Sequence, residues 1–152
     1  MSSLREILEA AADQIRDTMA AEADWAFQVE PTIILNPTPP SIDVFPGPQF
    51  FDLSTGGMGE THADIDEGIR IDVLARVAPN DNVANQQVLY ELLDPESSMS
   101  LVQSLYDDPT LGGHVTDLTL GSCSGFQPAP RWDGGMVYLG VLWRFLVIPA
   151  RS

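Results

Sequence analysis

The chain contains no lysine. Its seven basic side chains are all arginine, set against 22 acidic ones in 152 residues, for a formal net charge of −15. A nucleic-acid-binding surface needs clustered cations to neutralise phosphates, and a few scattered arginines do not make one. An anionic membrane surface is disfavoured for the same reason. There is one cysteine, Cys123, so neither an internal disulfide framework nor a CxxC zinc site is possible. No apolar run reaches about 18 residues, so no membrane-spanning helix is expected. The N-terminus lacks a basic-then-apolar leader; Met1 to Ala21 reads as a charged amphipathic helix. These absences together predict a protein kept in a reducing, cytoplasm-like compartment.

What is present fits a single domain spanning residues 1–152. A chain of this length buries roughly 68–70% of its unfolded surface, enough for a core without metal or disulfide. The acid excess is spread along the sequence rather than gathered in a tail. It reads either as ordinary solubility or, more sharply, as a surface that must not stick to a polyanion.

Ser3-Leu4-Arg5-Glu6 is a capping box. Leu4, Ile7, Leu8, Ala11, Ile15 and Met19 then recur at helical spacing, with Glu6, Glu9, Asp13 and Asp17 on the opposite face. Phe27 to Leu35 alternates as a strand, with Pro31 arguing for an edge or a bulge. After the stiff turn Asn36-Pro37-Thr38-Pro39-Pro40, Ser41 to Phe45 reads as a second strand. Residues 46–68 form a long Pro/Gly loop that carries Phe50, Phe51, Leu53 and Met58. Loops of this length are commonly functional, and these apolar side chains suit docking onto a partner.

Ile69 to Val77 is the clearest strand. Ile69, Ile71, Val73, Ala75 and Val77 point one way; Arg70, Asp72, Leu74 and Arg76 form a mostly polar opposite face. A helix carrying Val83, Val88, Leu89, Leu92 and Leu93 follows. Asp94-Pro95-Glu96 reads as the start of another, running from Pro95 to Tyr106. His114 to Ser122 is strand-like and Ser124 to Gly135 is a loop. Met136 to Ile148 is a long strand, apolar on both faces, so it is central or has one face covered by another subunit. The expected fold is α+β, in the order α-β-β-β-α-α-β-β. It has a mainly antiparallel sheet of about five strands, with the N-terminal helix and one or two further helices on one face.

Three motifs invite a chemical reading and fail it. Gly121-Ser122-Cys123-Ser124-Gly125 has the shape of a nucleophile elbow, but Phe126-Gln127-Pro128-Ala129-Pro130 forbids the helix that must follow, and no histidine lies beyond His114. It reads as a Gly/Ser turn with a small buried thiol. His62, Asp64, Asp66 and Glu67 could gather a divalent cation, but the spacing is not that of an EF-hand. Gly56-Gly57-Met58-Gly59 lacks the GK[ST] ending of a phosphate loop. Neither catalytic residues, metal ligands nor a cofactor site are expected.

The layout resembles the tail terminator, or tail-completion, proteins of long-tailed bacteriophages. The parts that carry the likeness run from Leu4 to Ile148. They are Leu4-Arg5-Glu6-Ile7-Leu8, the strand Gly68-Ile69-Arg70-Ile71-Asp72-Val73, the helix end Leu89-Tyr90-Glu91-Leu92-Leu93, and the closing Gly135-Met136-Val137-Tyr138-Leu139-Gly140-Val141-Leu142-Trp143-Arg144-Phe145. The helix from Pro95 to Tyr106 and the density of Pro31, Pro37, Pro39 and Pro40 depart from the simplest pattern. The resemblance implies a non-catalytic virion protein at the head–tail interface, assembled in the host cytoplasm. Such proteins form a ring, usually hexameric, on the head-proximal end of the tail tube. The ring stops tube polymerisation and joins the tail to the head. Its partners would be further copies of itself, the major tail tube protein, and the head-side connector or head-completion protein. DNA would pass through the lumen without specific binding, and no membrane would be involved. Loop chemistry and strand faces nominate Phe50, Phe51, Leu53, Met58, Tyr138, Leu142 and Arg144 as interface residues. The competing readings are another neck or head–tail adaptor subunit, a monomeric non-catalytic binding module, and an enzyme using Cys123 or the His62/Asp64/Asp66 cluster.

Overall fold

The capping box closes as its sequence requires. The Glu6 amide donates to Ser3 Oγ at 3.2 Å and the Ser3 amide to Glu6 Oε1 at 3.1 Å. In this computed structural model, which describes residues 3–22, 27–35, 37–48, 50, 68–78, 83–130 and 137–150, that box starts helix α1, Leu4–Glu22. Ile7, Leu8, Ala11, Ile15 and Met19 are buried, while Leu4 in the first turn is exposed.

Strands β1 (Gln28–Glu30), β2 (Ser41–Pro46) and β3 (Ile69–Val77) follow. Next come helices α2 (Val83–Leu93) and α3 (Leu101–Tyr106), then strands β4 (Val115–Cys123), β5 (Gln127–Pro130) and β6 (Val137–Pro149). The fold is α+β. Its six-stranded sheet runs β1-β2-β3-β6-β4, with β5 also paired to β6. All pairings are antiparallel except β1 with β2. The 13-residue β6 is the spine: β3 lies along one edge, and β4 and β5 share the other.

The helices cover one face. Ile42 and Val44 of β2, alternate residues Ile69 to Val77 of β3, and Val141, Trp143, Phe145 and Val147 of β6 meet the apolar faces of α1, α2 and α3 in one core. Gln14 ties the helix layer together, its side-chain amide donating to the carbonyls of Ser104, Leu105 and Asp108 at 2.8–3.2 Å. Two of these, Ser104 and Leu105, are carbonyls in the last turn of α3, where helical partners run out.

Four local expectations are corrected. The first strand is three residues long, not Phe27 to Leu35: Pro31 has no ladder donor, and the chain leaves the sheet there. The helix expected from Pro95 begins at Leu101 instead. Asp94 Oδ1 accepts the Glu96 amide at 2.9 Å, which makes a turn, and Ser100 supplies the cap through its Oγ to the Gln103 amide. The segment read as a loop after Ser124 contains β5. Pro128 and Pro130 stand two apart, so both missing donors fall on one edge and the other edge can pair with β6. Finally, Gly121, Ser122 and Cys123 belong to β4 rather than to a turn, and the Cys123 thiol is exposed, not buried.

Leu111 is the costly position in the helix-to-sheet connection. Its φ of 50° is left-handed, yet its side chain is 1% exposed and fills the core. Asp108 holds the turn by accepting the amides of Thr110 and Gly112 at 3.2 and 2.8 Å. Leu111→Ala should cost about 2–5 kcal/mol, as for other large-to-small core changes. Urea denaturation of the two proteins measures this; alanine keeps the Cβ and with it the left-handed strain, so a loss below about 1 kcal/mol would show that the Leu111 side chain is not packed in the core.

Candidate functional site

The alternation in β3 predicts a mostly polar second face, and the polar residues there are not all at the surface: Asp72, Leu74 and Arg76 of β3 are buried, as is Asp43 of β2. After Pro31, the chain turns back across this face. The Ile34 amide donates to Asp43 Oδ2 at 3.1 Å, and Arg76 Nη2 donates to the Ile34 carbonyl at 3.0 Å. Arg76 Nη2 and Asp43 Oδ2 are 2.6 Å apart, and both side chains are 0% exposed. The ion pair thus does for Ile34 what a neighbouring strand would do: it satisfies both of its backbone polar groups. Burial pushes the Asp43 carboxyl upward, while the Ile34 amide and Arg76 pull it back. Among the described residues, Ser41 Oγ, Asp43 Oδ1 and Arg76 Nε and Nη1 make no hydrogen bond.

Tyr138 lies against this pair, with the Arg76 guanidinium carbon 5.8 Å from its ring centroid, inside cation–π range. Phe45, Leu74 and Tyr138 form a second small core, with Ile33 and Leu142 packed on it. Tyr138, nominated for an intersubunit contact, is therefore occupied within its own chain. Leu142 is half-buried at the margin of the same cluster.

Further along the face the register sets Asp72 opposite Arg144, and Arg144 opposite Ser122. Arg144 Nε is 3.5 Å from Asp72 Oδ2; the Arg144 side chain is 47% exposed and that of Asp72 only 3%. Asp72 is pressed against the backbone at Gly47, where a Cβ would stand 2.5 Å from Oδ1, so any larger residue there would force the buried carboxylate to shift. Beside this row is an open cavity of about 490 Å³, lined by Pro48, Arg70, Gly121, Ser122 and Arg144 together with β6 residues. The backbone of Arg70 is bracketed by the Gly47 amide at 3.0 Å and the Phe50 carbonyl at 2.6 Å.

Of the nominated interface residues, the structure places Arg144 at this cavity, Leu142 and Tyr138 on the same face, and Phe50 half-buried against the main core. Phe51, Leu53 and Met58 lie outside the described residues, as do His62, Asp64, Asp66 and Glu67. Among the described residues no group of three or more His, Cys, Asp or Glu is placed to hold a metal ion. No described helix is long and apolar enough to cross a membrane. Asp43, Arg70, Asp72, Arg76 and Ser122 were not nominated from sequence. The alternation in β3 put Arg70, Asp72 and Arg76 in one row, but the signal that pairs them with Asp43 and Arg144 is the strand register.

The chain matches no model of a known protein family, and comparison with characterised proteins finds no match either.

Two outcomes follow from this face. Arg76→Met leaves the Asp43 charge buried without its partner and should cost about 3–5 kcal/mol in urea denaturation, with much of the loss recovered when Asp43→Leu is added. A single variant as stable as wild type would show the pair to be dispensable. The second outcome concerns pH. Burial pushes the Asp72 carboxyl above its ordinary 3.8, against the opposing pull of Arg144. The folded chain therefore keeps this proton where the unfolded chain has released it. Stability from this group is present below 3.8 and is lost as pH rises through the higher folded value. Asp72→Asn removes that loss, so its thermal midpoint should gain on wild type with rising pH; parallel pH curves would overturn the assignment.

Proposed function

We propose that this chain is a structural virion protein that forms a ring on the head-proximal end of a phage tail tube, ends tube polymerisation there and joins the tail to the head. The observation that carries the reading is the order of elements around one long strand. A capped N-terminal helix leads into β1. An antiparallel β2–β3 pair follows, its strands joined by the long Pro/Gly-containing segment. Two helices come next, and the chain closes on the 13-residue β6. That order is the one by which the sequence resembles tail terminator proteins.

Physical features favour an assembly role over a chemical one. The described helices, α1, α2 and α3, pack on one face of the sheet. The other face keeps half-buried apolar residues, Leu142, Leu146 and Ile148, on the same strand as an exposed arginine. A surface of this kind suits a neighbouring subunit in a closed ring. A formal charge of −15 per chain, multiplied around a ring, would keep a passing polyanion from adhering to the lumen.

Negative-stain electron microscopy of the concentrated protein, with and without purified tail tubes, tests the reading. Rings of uniform size, or caps on one end of each tube, are the expected result. Caps on the tube end would also separate a terminator from a head-side adaptor subunit. A protein that stays monomeric and never touches tubes would overturn the proposal in favour of a monomeric binding module.

A further inference from the structure

Three neighbouring side chains on the second face of the sheet carry polar atoms that the ion pair leaves over. Ser41 and Asp43 stand two apart on β2 and so share a face, and the register sets Ser41 directly opposite Arg76 of β3. All three residues are 0% exposed. Arg76 Nη2 donates both to Asp43 Oδ2 and to the Ile34 carbonyl. Asp43 Oδ2 accepts both from Arg76 and from the Ile34 amide. The bonding therefore converges on one atom of each partner. Asp43 Oδ1, Arg76 Nε and Nη1, and Ser41 Oγ are buried with no hydrogen bond in the chain.

A buried polar atom without a partner loses its hydration and gains nothing in return. Protein interiors answer such atoms with a neighbouring group or with enclosed water. The side chains packed over this region are Phe45, Leu74 and Tyr138, with Ile33 and Leu142 at the margin. The Tyr138 ring faces Arg76 with its π system only, at 5.8 Å from the guanidinium carbon. The chemistry of the leftover atoms selects what completes them. Arg76 supplies two N–H donors, Asp43 Oδ1 is an acceptor, and the Ser41 hydroxyl can act as either. An anion would suit the arginine and meet the carboxylate; a cation would do the reverse. The charges of Asp43 and Arg76 already balance each other, so the fitting ligand is neutral and both donates and accepts. Full enclosure restricts it to the smallest such molecule.

We propose that one water molecule is built into the fold at this point, accepting from Arg76 and donating to Asp43 Oδ1, with Ser41 Oγ as a further partner. About three hydrogen bonds is the usual complement of a buried water. This one links β2 to β3 across the Ser41–Arg76 pair. It also completes a carboxylate–guanidinium bridge whose direct contact uses a single carboxylate oxygen. No channel is required, because buried water is enclosed on folding and exchanges when the covering structure opens briefly. The segment above the site is held by the two bonds to Ile34, and the next residue, Leu35, is 61% exposed. The site is independent of the ring reading.

A high-resolution crystal structure of the full chain tests this, together with oxygen-17 relaxation dispersion, which counts long-lived internal waters in solution. The expected crystal result is one ordered water about 2.7–3.2 Å from Asp43 Oδ1 and from Arg76 Nε or Nη1. In solution, wild type should hold one more long-lived water than Ser41→Val, which removes the hydroxyl and fills its surroundings with a methyl group. The wild-type crystal structure decides the matter by itself if Ser41→Val fails to fold. A direct two-oxygen pair of Asp43 with Arg76 and no water between them would overturn the proposal. So would equal water counts in wild type and a folded Ser41→Val. An anomalous peak at the site in crystals soaked in bromide would identify an anion there and overturn it as well.

Discussion

The buried pair of Asp43 and Arg76 is the constraint around which the second face of the sheet is arranged. Both side chains are fully removed from solvent, and together they bond the amide and carbonyl of Ile34. Removing two charges from water is expensive, and such a pair is retained where its geometry specifies a structure rather than where it adds most stability. Here it specifies the path of the chain after Pro31. The chain leaves the sheet at Pro31, and beyond it the polypeptide is held over the face by side chains instead. Tyr138, Phe45 and Leu74 then close over the region and complete a second, smaller core.

That arrangement divides the sheet's second face into two unlike halves. Around Arg76 it is sealed within the chain. Around Arg144 it stays open, with Asp72 held beneath Gly47 and a cavity alongside. Arginine suits both places for different reasons. Its planar fork can bridge a carboxylate and a carbonyl in the interior, and at the surface it can stay half-exposed while reaching the buried Asp72 carboxylate. The absence of lysine is consistent with these uses. The main core is built differently: Trp143, Phe145 and their apolar neighbours fill the space beneath three helices.

Much of the architecture was legible because it follows from local rules. The Ser3/Glu6 box, the helical spacing through Met19, and the alternation from Ile69 to Val77 all record short-range chemistry that the final fold keeps. The misreadings share a cause as well. Asp94-Pro95-Glu96 is compatible both with a helix start and with a turn, and the choice falls to Ser97 and Ser100, whose bonds stabilise the turn and cap the later helix. Pro128 and Pro130 suggest a loop until β6 offers an edge that does not need their missing donors. Arg144 was singled out as a surface residue of a strand face, but its relation to Asp72, Ser122 and Arg70 could not be read along the chain.

The sequence by itself determined the fold class, the core-facing stripe of α1, the inward residues of β3 and β6, and an acidic character that disfavours adhesion to polyanions. Periodicity and composition are sufficient for these because each concerns neighbours one turn or two residues apart, or a sum over the whole chain. Only the tertiary structure decided that Asp72 and Arg76 are buried, that Asp43 and Arg76 stand in for a strand, and that Arg70 and Arg144 share a cavity. Those facts depend on which strands lie side by side and in what register. A shift by one residue would turn each of these side chains to the other face.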